Sequence, residues 1–442
     1  MYTKKILTAT IASLIAGQVM AEQVFKSDTT TIDVYGDLRP RFRYDDPTAS
    51  DGLKKVIPFG QDVTTEEDGD QARQRIIPAY STTKIKKITA EGSAFGFKVQ
   101  QQLTDDVYAR GQIEFKWDMT DANAQAGDGD LRTNYGYVAA GTAELGELKL
   151  GRMQSAQDAM AGKHDFSYEL GGASKLGNAW QGTDYVDNAV GYQWSDQGIT
   201  VMLQAQAETE DYKDIDIGNR RIMDKAKIKN GYGAGINWDS NFGLSLSGSY
   251  TRIKIDQNAQ EFIRKSDGSN VEITRLPDSS PTIDSASVSA SYTIEGLTVA
   301  ASYSAYNYKW DKEGVKDTYD DNNFESPDGA PTPTPLGKPK IEQQGWGVGV
   351  RYAFEEYNVG VYGIYDELKT KYKMKIQQLP DDTELGQEEN LKVMTFGLDY
   401  GFTDQFMVFA EYAHSKTDNY AGLSSDATAK NKQFTIGTRF YF

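Results

Sequence analysis

The chain closes on a strict alternation. Phe434, Ile436, Thr438, Phe440 and Phe442 fall on one face of an extended segment, and Gln433, Thr435, Gly437, Arg439 and Tyr441 on the other. Side chains on a strand alternate with period two, so one face is apolar and the other polar. A greasy outer face over a wet inner face suits a strand of a barrel closed in a lipid bilayer. A water-soluble sandwich gives the same alternation, so the choice rests on the rest of the chain.

The same grammar recurs along the sequence. Residues 30–44 place Ile32, Val34, Gly36, Leu38, Phe42 and Tyr44 on one face, and Asp33, Asp37, Arg39, Arg41 and Arg43 on the other. Pro40 interrupts the outer face and implies an edge or an irregularity. Strands at 94–101 and 107–118 are joined by the turn Leu103 to Asp106, with Tyr108, Arg110, Gln112, Glu114 and Lys116 facing in. Lys98 faces in on the first of these strands. Further pairs are expected at 131–143 with 148–153, 187–195 with 199–208, 230–239 with 244–255, 284–293 with 297–310, 343–354 with 358–370, and 391–402 with 406–416. The last strand is 432–442. One opening strand, seven short-turned pairs and one closing strand give about 16, an even number as barrels of this kind require. The other connections are long: 45–93, 119–130, 154–186, 209–229, 256–283, 311–342, 371–390 and 417–431. Lys84, Lys86 and Lys87 sit among β-branched residues and would extend the second strand upward. The expectation is an all-β fold, a transmembrane antiparallel β-barrel with short periplasmic turns and long extracellular loops. Stretches such as Ser326-Pro327-Asp328-Gly329-Ala330-Pro331-Thr332-Pro333 read as exposed, mobile loop.

Composition agrees. Only 38% of residues are hydrophobic, and no long apolar run follows the N-terminus, which excludes helical spans. The 42 glycines and 27 tyrosines fit tight turns and interfacial aromatic girdles. With no cysteine, disulfides and thiolate metal sites are excluded. Lys4 and Lys5, the apolar stretch Ile6 to Val19 and the small-residue pattern Val19-Met20-Ala21 read as an export signal over residues 1–21. Its removal takes the net charge from −17 to −19 and leaves 22–442 as a single barrel domain. An excess of acid, 64 Asp and Glu against 47 Lys and Arg, argues against nucleic acid as a partner.

Several short motifs resemble the trimeric general porins of Gram-negative outer membranes. Asp33-Val34-Tyr35-Gly36, Phe95-Gly96-Phe97-Lys98 and Leu150-Gly151-Arg152 are similar to the first, second and fifth strands of that family. Asp165-Phe166-Ser167-Tyr168-Glu169-Leu170-Gly171-Gly172 resembles the tip of its third loop, with Tyr168 in place of a proline and Leu170 in place of a phenylalanine. The resemblance implies that a loop at about 154–186 folds inward and narrows the lumen, with Asp165 and Glu169 as the acidic side of the constriction. It further implies a homotrimer in the outer membrane of a Gram-negative bacterium. Such a narrowing focuses the field of a few fixed charges between low-dielectric walls.

The basic side departs from the family. Asp37 stands where a lysine is usual and Ala94 where an arginine is usual, while Arg132 fits. Arg39, Arg41 and Arg110 face inward by parity and would rebuild a basic wall with Arg132, and each could equally pair with a neighbouring acid. Asp37 and Lys98 line the lumen beside them. The missing basic positions and the net charge suggest cation preference. Other chemistry is thin. His164 lies beside Asp165 and near Ser167, but nucleophilic catalysis needs a triad geometry that sequence proximity does not supply. Glu66-Glu67-Asp68-Gly69-Asp70 reads as a solvated acidic loop rather than a calcium site. The resulting expectation is a passive channel for ions and small hydrophilic solutes, with no cofactor and no catalysed reaction. Outer-membrane lipid and lipopolysaccharide would be its surroundings. A sugar-selective pore and an adhesion barrel are the alternatives.

Overall fold

A computed structural model describes residues 22–50, 83–117, 131–174, 185–209, 213–373, 387–419 and 428–442, apart from short breaks at 218–219, 258–259, 267–269, 277–278, 313–314, 321–331, 336–337 and 339. The wall begins with β1 (Glu22–Lys26), β2 (Thr30–Leu38), β3 (Arg41–Ala49), β4 (Ile85–Thr89) and β5 (Ser93–Gln102). It continues with β6 (Val107–Trp117), β7 (Arg132–Thr142), β8 (Gly146–Gln154), β9 (Tyr185–Asp196), β10 (Ile199–Gln206), β11 (Lys213–Ile217), β12 (Arg220–Asp239) and β13 (Leu244–Gln257). Two strands outside the wall, β14 (Gln260–Ser266) and β15 (Asn270–Leu276), precede β16 (Thr282–Ile294) and β17 (Leu297–Lys309). Two more outside strands, β18 (Val315–Asp320) and β19 (Thr332–Pro335), precede β20 (Lys340–Phe354), β21 (Val359–Lys373), β22 (Gln387–Gly401), β23 (Phe406–Asp418) and β24 (Ala429–Tyr441).

All wall pairings are antiparallel between neighbours, and the ring closes where β24 meets β2 and β3. Twenty strand pieces make sixteen staves. β2 with β3, β4 with β5, and β10 with β11 are each one stave with a break. β1 lies beside β2 and continues the line of β24: Gly36 N–H donates to the Phe442 carbonyl at 2.8 Å, and Phe442 N–H donates back at 3.1 Å. Closure leaves no open edge, so the backbone groups of the ring find partners inside it, as a bilayer demands.

Pro40 is the irregularity that the alternation implied. Lacking an N–H, it cannot donate to the ladder, and the first stave breaks there into β2 and β3. The second stave breaks beside it at Ala90–Gly92, where Gly92 takes φ +83°. Ser93 stitches the two breaks together: its hydroxyl donates to Ala90 O at 2.7 Å and accepts from Arg39 N–H at 3.0 Å. The extension expected around Lys84 to Lys87 is β4, paired with β3.

The outer face carries the apolar residues. Val138, Leu148, Leu150 and Phe396 are each about three-fifths exposed to the surroundings, while inward Ala413, Thr395 and Thr435 are fully covered. The short turns fall where the alternation places them. On the other side, the connections 256–283 and 311–342 are not plain loops. They contribute β14, β15, β18 and β19, which form a separate four-stranded sheet. Thr332 and Pro333 of the expected mobile stretch lie in β19, and 326–331 lie outside the described residues, as does the acidic run 66–70.

Candidate functional site: a lumen lined by an inward loop

The chain leaves β8 and turns into the barrel. Ser155 caps a one-turn helix, α1 (Ala156–Met160), accepting from Asp158 N–H at 3.0 Å, as an N-cap serine does. Gln204 on β10 accepts from Ala156 N–H at 2.8 Å, and Ser247 on β13 donates to Met160 O at 2.7 Å. Ala156 and Met160 lie over Gly235, where a Cβ would stand 2.8 Å from Met160 Cγ. Lys163 Nζ then donates to Asn237 at 2.8 Å and to Ser245 at 2.7 Å. Burial lowers the Lys163 amine below the ordinary lysine value, against the pull of Asp239.

The next residues lie in a track cut by glycine. On β20, Gly345, Gly347 and Gly349 point inward and alternate with outward Trp346, Val348 and Val350. A Cβ at Gly347 would lie 2.1 Å from His164 Nε2, and one at Gly349 would lie 2.1 Å from His164 O. No side chain fits there, so the loop seats directly on backbone. His164 and Asp366 are fully buried against each other, with His164 Nε2 2.8 Å from Asp366 Oδ1. Ser174 donates its N–H to the same oxygen at 3.1 Å, and its hydroxyl contacts that oxygen as well. Serine and aspartate share one ring nitrogen here. A triad needs them on opposite ring nitrogens, so this cluster fastens the loop and does not have the arrangement of a nucleophilic site.

Beyond His164 the tip is held by charge. Glu411 on β23 accepts three backbone N–H groups, from Tyr168 at 2.6 Å, Glu169 at 3.1 Å and Leu170 at 3.0 Å. It also accepts from the Tyr362 hydroxyl at 2.6 Å. Hydrogen bonds to an ionised carboxylate are about twice as strong as neutral ones. Phe166 packs with Ala300, Tyr362 and Ile364, and Leu170 with Val393 and Ala413. Arg439 donates to Tyr168 O at 2.9 Å and stands over the Tyr168 ring. The loop's contacts therefore step along β10, β12, β13, β17, β20, β21, β22, β23 and β24 to β3.

The expected site residues divide in a definite way. Asp165 shapes the loop itself, accepting from Ser167 N–H at 3.1 Å and from its hydroxyl at 2.5 Å. Gly172, at φ +76°, lies against its carboxylate. Glu169 meets the wall: Arg41 lies 2.8 Å away and Arg43 3.7 Å. Burial pushes the Glu169 carboxyl above its ordinary value, while Arg41 and then Arg43 pull it down. Arg41 also donates to Glu91 O at 2.7 Å. Arg39 and Arg439 share Asp37, at 2.5 and 2.9 Å. Arg110 pairs with Glu147, which Lys149 approaches at 3.4 Å. Lys98 stands opposite Asp33 and Gln112 on the lumen face. Arg132 is exposed at the loop end of β7, across from Lys116. The structure thus brings Glu169 together with Arg41, whereas Arg110 and Lys98 lie away from it on the wall that the loop does not cover. Arg351 of β20 pairs with Asp399 of β22 at 2.5 Å and stands over the Tyr362 ring; sequence reasoning missed this pair, and Arg43, Arg439 and Glu411, as parts of the site. Parity alone put Arg439 on the lumen face, and the Gly-x-Gly-x-Gly run at 345–349 was a legible sign that something sits against β20.

Comparisons with known proteins agree with the barrel fold. Residues 8–420 match the family described as Gram-negative porin. Outer membrane protein S2 of Salmonella typhi is 26% identical over 261 residues, a match spanning 56% of this chain and 58% of that relative. Among solved structures, an anion-selective porin from Comamonas acidovorans aligns over 93% of this chain and all of its own, at 14% identity and TM-score 0.57. OmpT of Vibrio cholerae, expressed in the outer membrane, covers 95% of this chain and all of its own, at 16% identity and TM-score 0.56. OmpF of Salmonella typhi in complex with daunomycin covers 93% of this chain and 99% of its own, at 16% identity and TM-score 0.53. With its closed sixteen-stave barrel and a match over nearly its whole length, the chain belongs to the Gram-negative porins, β-barrels of the outer membrane.

Proposed function

We propose that this protein is a passive, non-enzymatic channel through which ions and small hydrophilic solutes diffuse, with a preference for cations. The observation that carries the reading is the inward loop, fastened in turn to staves from β10 round to β3 while β5 to β9 are left to line the passage. Charges on the described lumen wall are held in clusters of opposite sign, eight cations against six carboxylates: Arg110 and Lys149 with Glu147, Arg152 with Asp187, Arg351 with Asp399, Arg39 and Arg439 with Asp37, and Arg41 and Arg43 with Glu169 and Asp45, so these clusters do not themselves favour cations. Selectivity then follows the excess acid of the whole chain, −17 before and −19 after loss of residues 1–21. We propose that those residues are removed on export and that the barrel works as a homotrimer, as one solved form of Vibrio cholerae OmpT is described. A sugar-selective pore draws little support. Tyr35 and Tyr137 spend their hydroxyls on Gln112, at 2.6 Å each, and Lys149 stands over the Tyr137 ring. Of the two, the Tyr137 ring face is already met by the Lys149 ammonium, 5.3 Å from its centroid.

The test is reconstitution in a planar bilayer under a salt gradient. Large steps closing in thirds, with a cation-selective reversal potential, are expected. Little conductance from a folded barrel would defeat the channel reading, and an anion-selective potential would defeat the preference.

A further inference from the structure

The sheet outside the wall has two unlike edges. Its strands run in the order β14, β15, β18, β19, and among the described residues nothing pairs with the far side of β14 or of β19. Open edges invite another strand, and proteins guard them. β19 is guarded. Thr332, Pro333, Thr334 and Pro335 lie opposite Thr318, Asp317, Lys316 and Val315 of β18. Neighbouring residues send their N–H groups to opposite sides of a strand, and proline has none. Any donor from β19 to β18 is therefore Thr332 or Thr334, and the two prolines leave the free edge without donors. β14 is not guarded. Gln260–Ser266 holds no proline, and it pairs with β15 along its whole length, from Gln260 opposite Leu276 to Ser266 opposite Asn270. Backbone donors and acceptors therefore alternate along its free edge.

The sequence of β14 is complementary to itself. Two identical antiparallel strands related by a two-fold axis must set one residue opposite its own copy, so few registers are open. Centred on Ile263, all 7 residues pair: Gln260 with Ser266, Glu261 with Lys265, Phe262 with Arg264, and Ile263 with its copy. The two-fold repeats each pair, so two Glu–Lys pairs of opposite charge flank an apolar centre. Directly opposed opposite charges stabilise a sheet, and like charges destabilise it. Centring on Arg264 sets that arginine against its copy and Ile263 against Lys265. Centring on Phe262 sets Glu261 against Ile263 and leaves Lys265 and Ser266 beyond the end of the partner strand. Of the three, the Ile263 register alone matches charge along the whole strand.

We infer that the free edge of β14 is a contact with a second copy of this protein, formed by antiparallel strand addition about a two-fold axis. Two four-stranded sheets then join into one continuous sheet, whose ends are both the proline-bearing β19. No open edge remains, so the contact closes after one pairing. A three-fold assembly has no two-fold between its own copies. The contact therefore joins separate assemblies, on the side of the barrel that carries the long connections. The inference rests on the barrel fold and is independent of what passes through the lumen.

The chain has no cysteine, so a single introduced one is the only thiol. The full barrel is refolded, oxidised with copper phenanthroline and run on non-reducing gels. Ile263→Cys lies on the axis, opposite its own copy and within disulfide reach, and is expected to give linked pairs. Glu261→Cys and Lys265→Cys should each stay unlinked alone and link when the two proteins are mixed. Thr334→Cys, on the guarded edge, should stay unlinked. Native mass spectrometry of the wild type should show a species of twice the mass of the basic assembly. Glu261→Lys should weaken that species on the order of ten-fold, since two charge pairs are lost at once, and the swap E261K/K265E should restore it. Gel mobility before and after heating verifies that each barrel is folded. Single-channel conductance should be unchanged throughout, which keeps this result separate from the channel reading. No linkage at Ile263→Cys, or equal linkage at all four positions, would overturn the proposal. So would linkage with no doubling of mass, or a doubled species equally abundant in Glu261→Lys.

Discussion

Glu411 shows how much one side chain decides. Its carboxylate collects the Tyr168, Glu169 and Leu170 amides, so Glu411→Ala strands one buried and two partly buried donors and costs about 3 kcal/mol at the loop tip. The expected outcome is a folded barrel with larger and noisier single-channel steps, measured in planar bilayers; steps of wild-type size and stability would show that the tip is held elsewhere. Gly347 decides by having no side chain. Gly347→Ala forces a methyl to 2.1 Å from His164 Nε2 and should cost about 1–3 kcal/mol by overpacking. Conductance should change while gel mobility still reports a folded barrel; unchanged conductance would mean the loop shifts freely. This is also where sequence reading reached its limit. Parity put Arg41 on the lumen face but could not say that it meets Glu169, because strand alternation gives a face and not a neighbour across a loop. Asp165 was legible as a loop residue through the resemblance of Asp165 to Gly172 to the family's third loop. Its bonds to Ser167, within the loop itself, depend on a turn that spacing does not fix.

At the scale of the element, the loop behaves as one piece because its anchors are spaced along it: α1 at one end, His164 and Ser174 on Asp366, and Glu169 on Arg41. Burial raises the Glu169 carboxyl, so on acidification it takes up its proton before an ordinary glutamate would. Protonation removes its negative charge and leaves Arg41 and Arg43 without it. Cation preference should therefore weaken at a pH above the ordinary glutamate range, and Glu169→Gln should abolish that step. A reversal-potential titration checks this; the same step in the variant would assign it to another group. The staves were largely legible because lipid outside and water inside impose an alternation that nothing local overrides. The four-stranded outer sheet was not. It pairs β15 with β18, segments 40 to 50 residues apart in the chain, and alternation along one strand does not name a partner that distant.

For the whole molecule, the pairing of wall charges leaves selectivity to the summed field of distant acids. That field is screened over ~10 Å at 0.1 M salt and ~3 Å at 1 M. The cation-to-anion permeability ratio should therefore be highest in dilute salt and approach ~1 near 1 M, if the long-range acids govern it. A ratio that holds at high salt would place the selectivity in close contacts at the constriction instead.

The path of the inward loop has a mechanical consequence. A segment bonded in turn to staves from β10 round to β3 acts as a strap across most of the circumference. A bare ring of strands flattens easily, since hydrogen-bonded neighbours can hinge about one another. Here flattening would have to stretch the strap or lift it off the glycine track and the Glu411 carboxylate together. The cross-section is thereby braced from within, and the bore should keep its shape when lateral tension in the surrounding membrane changes.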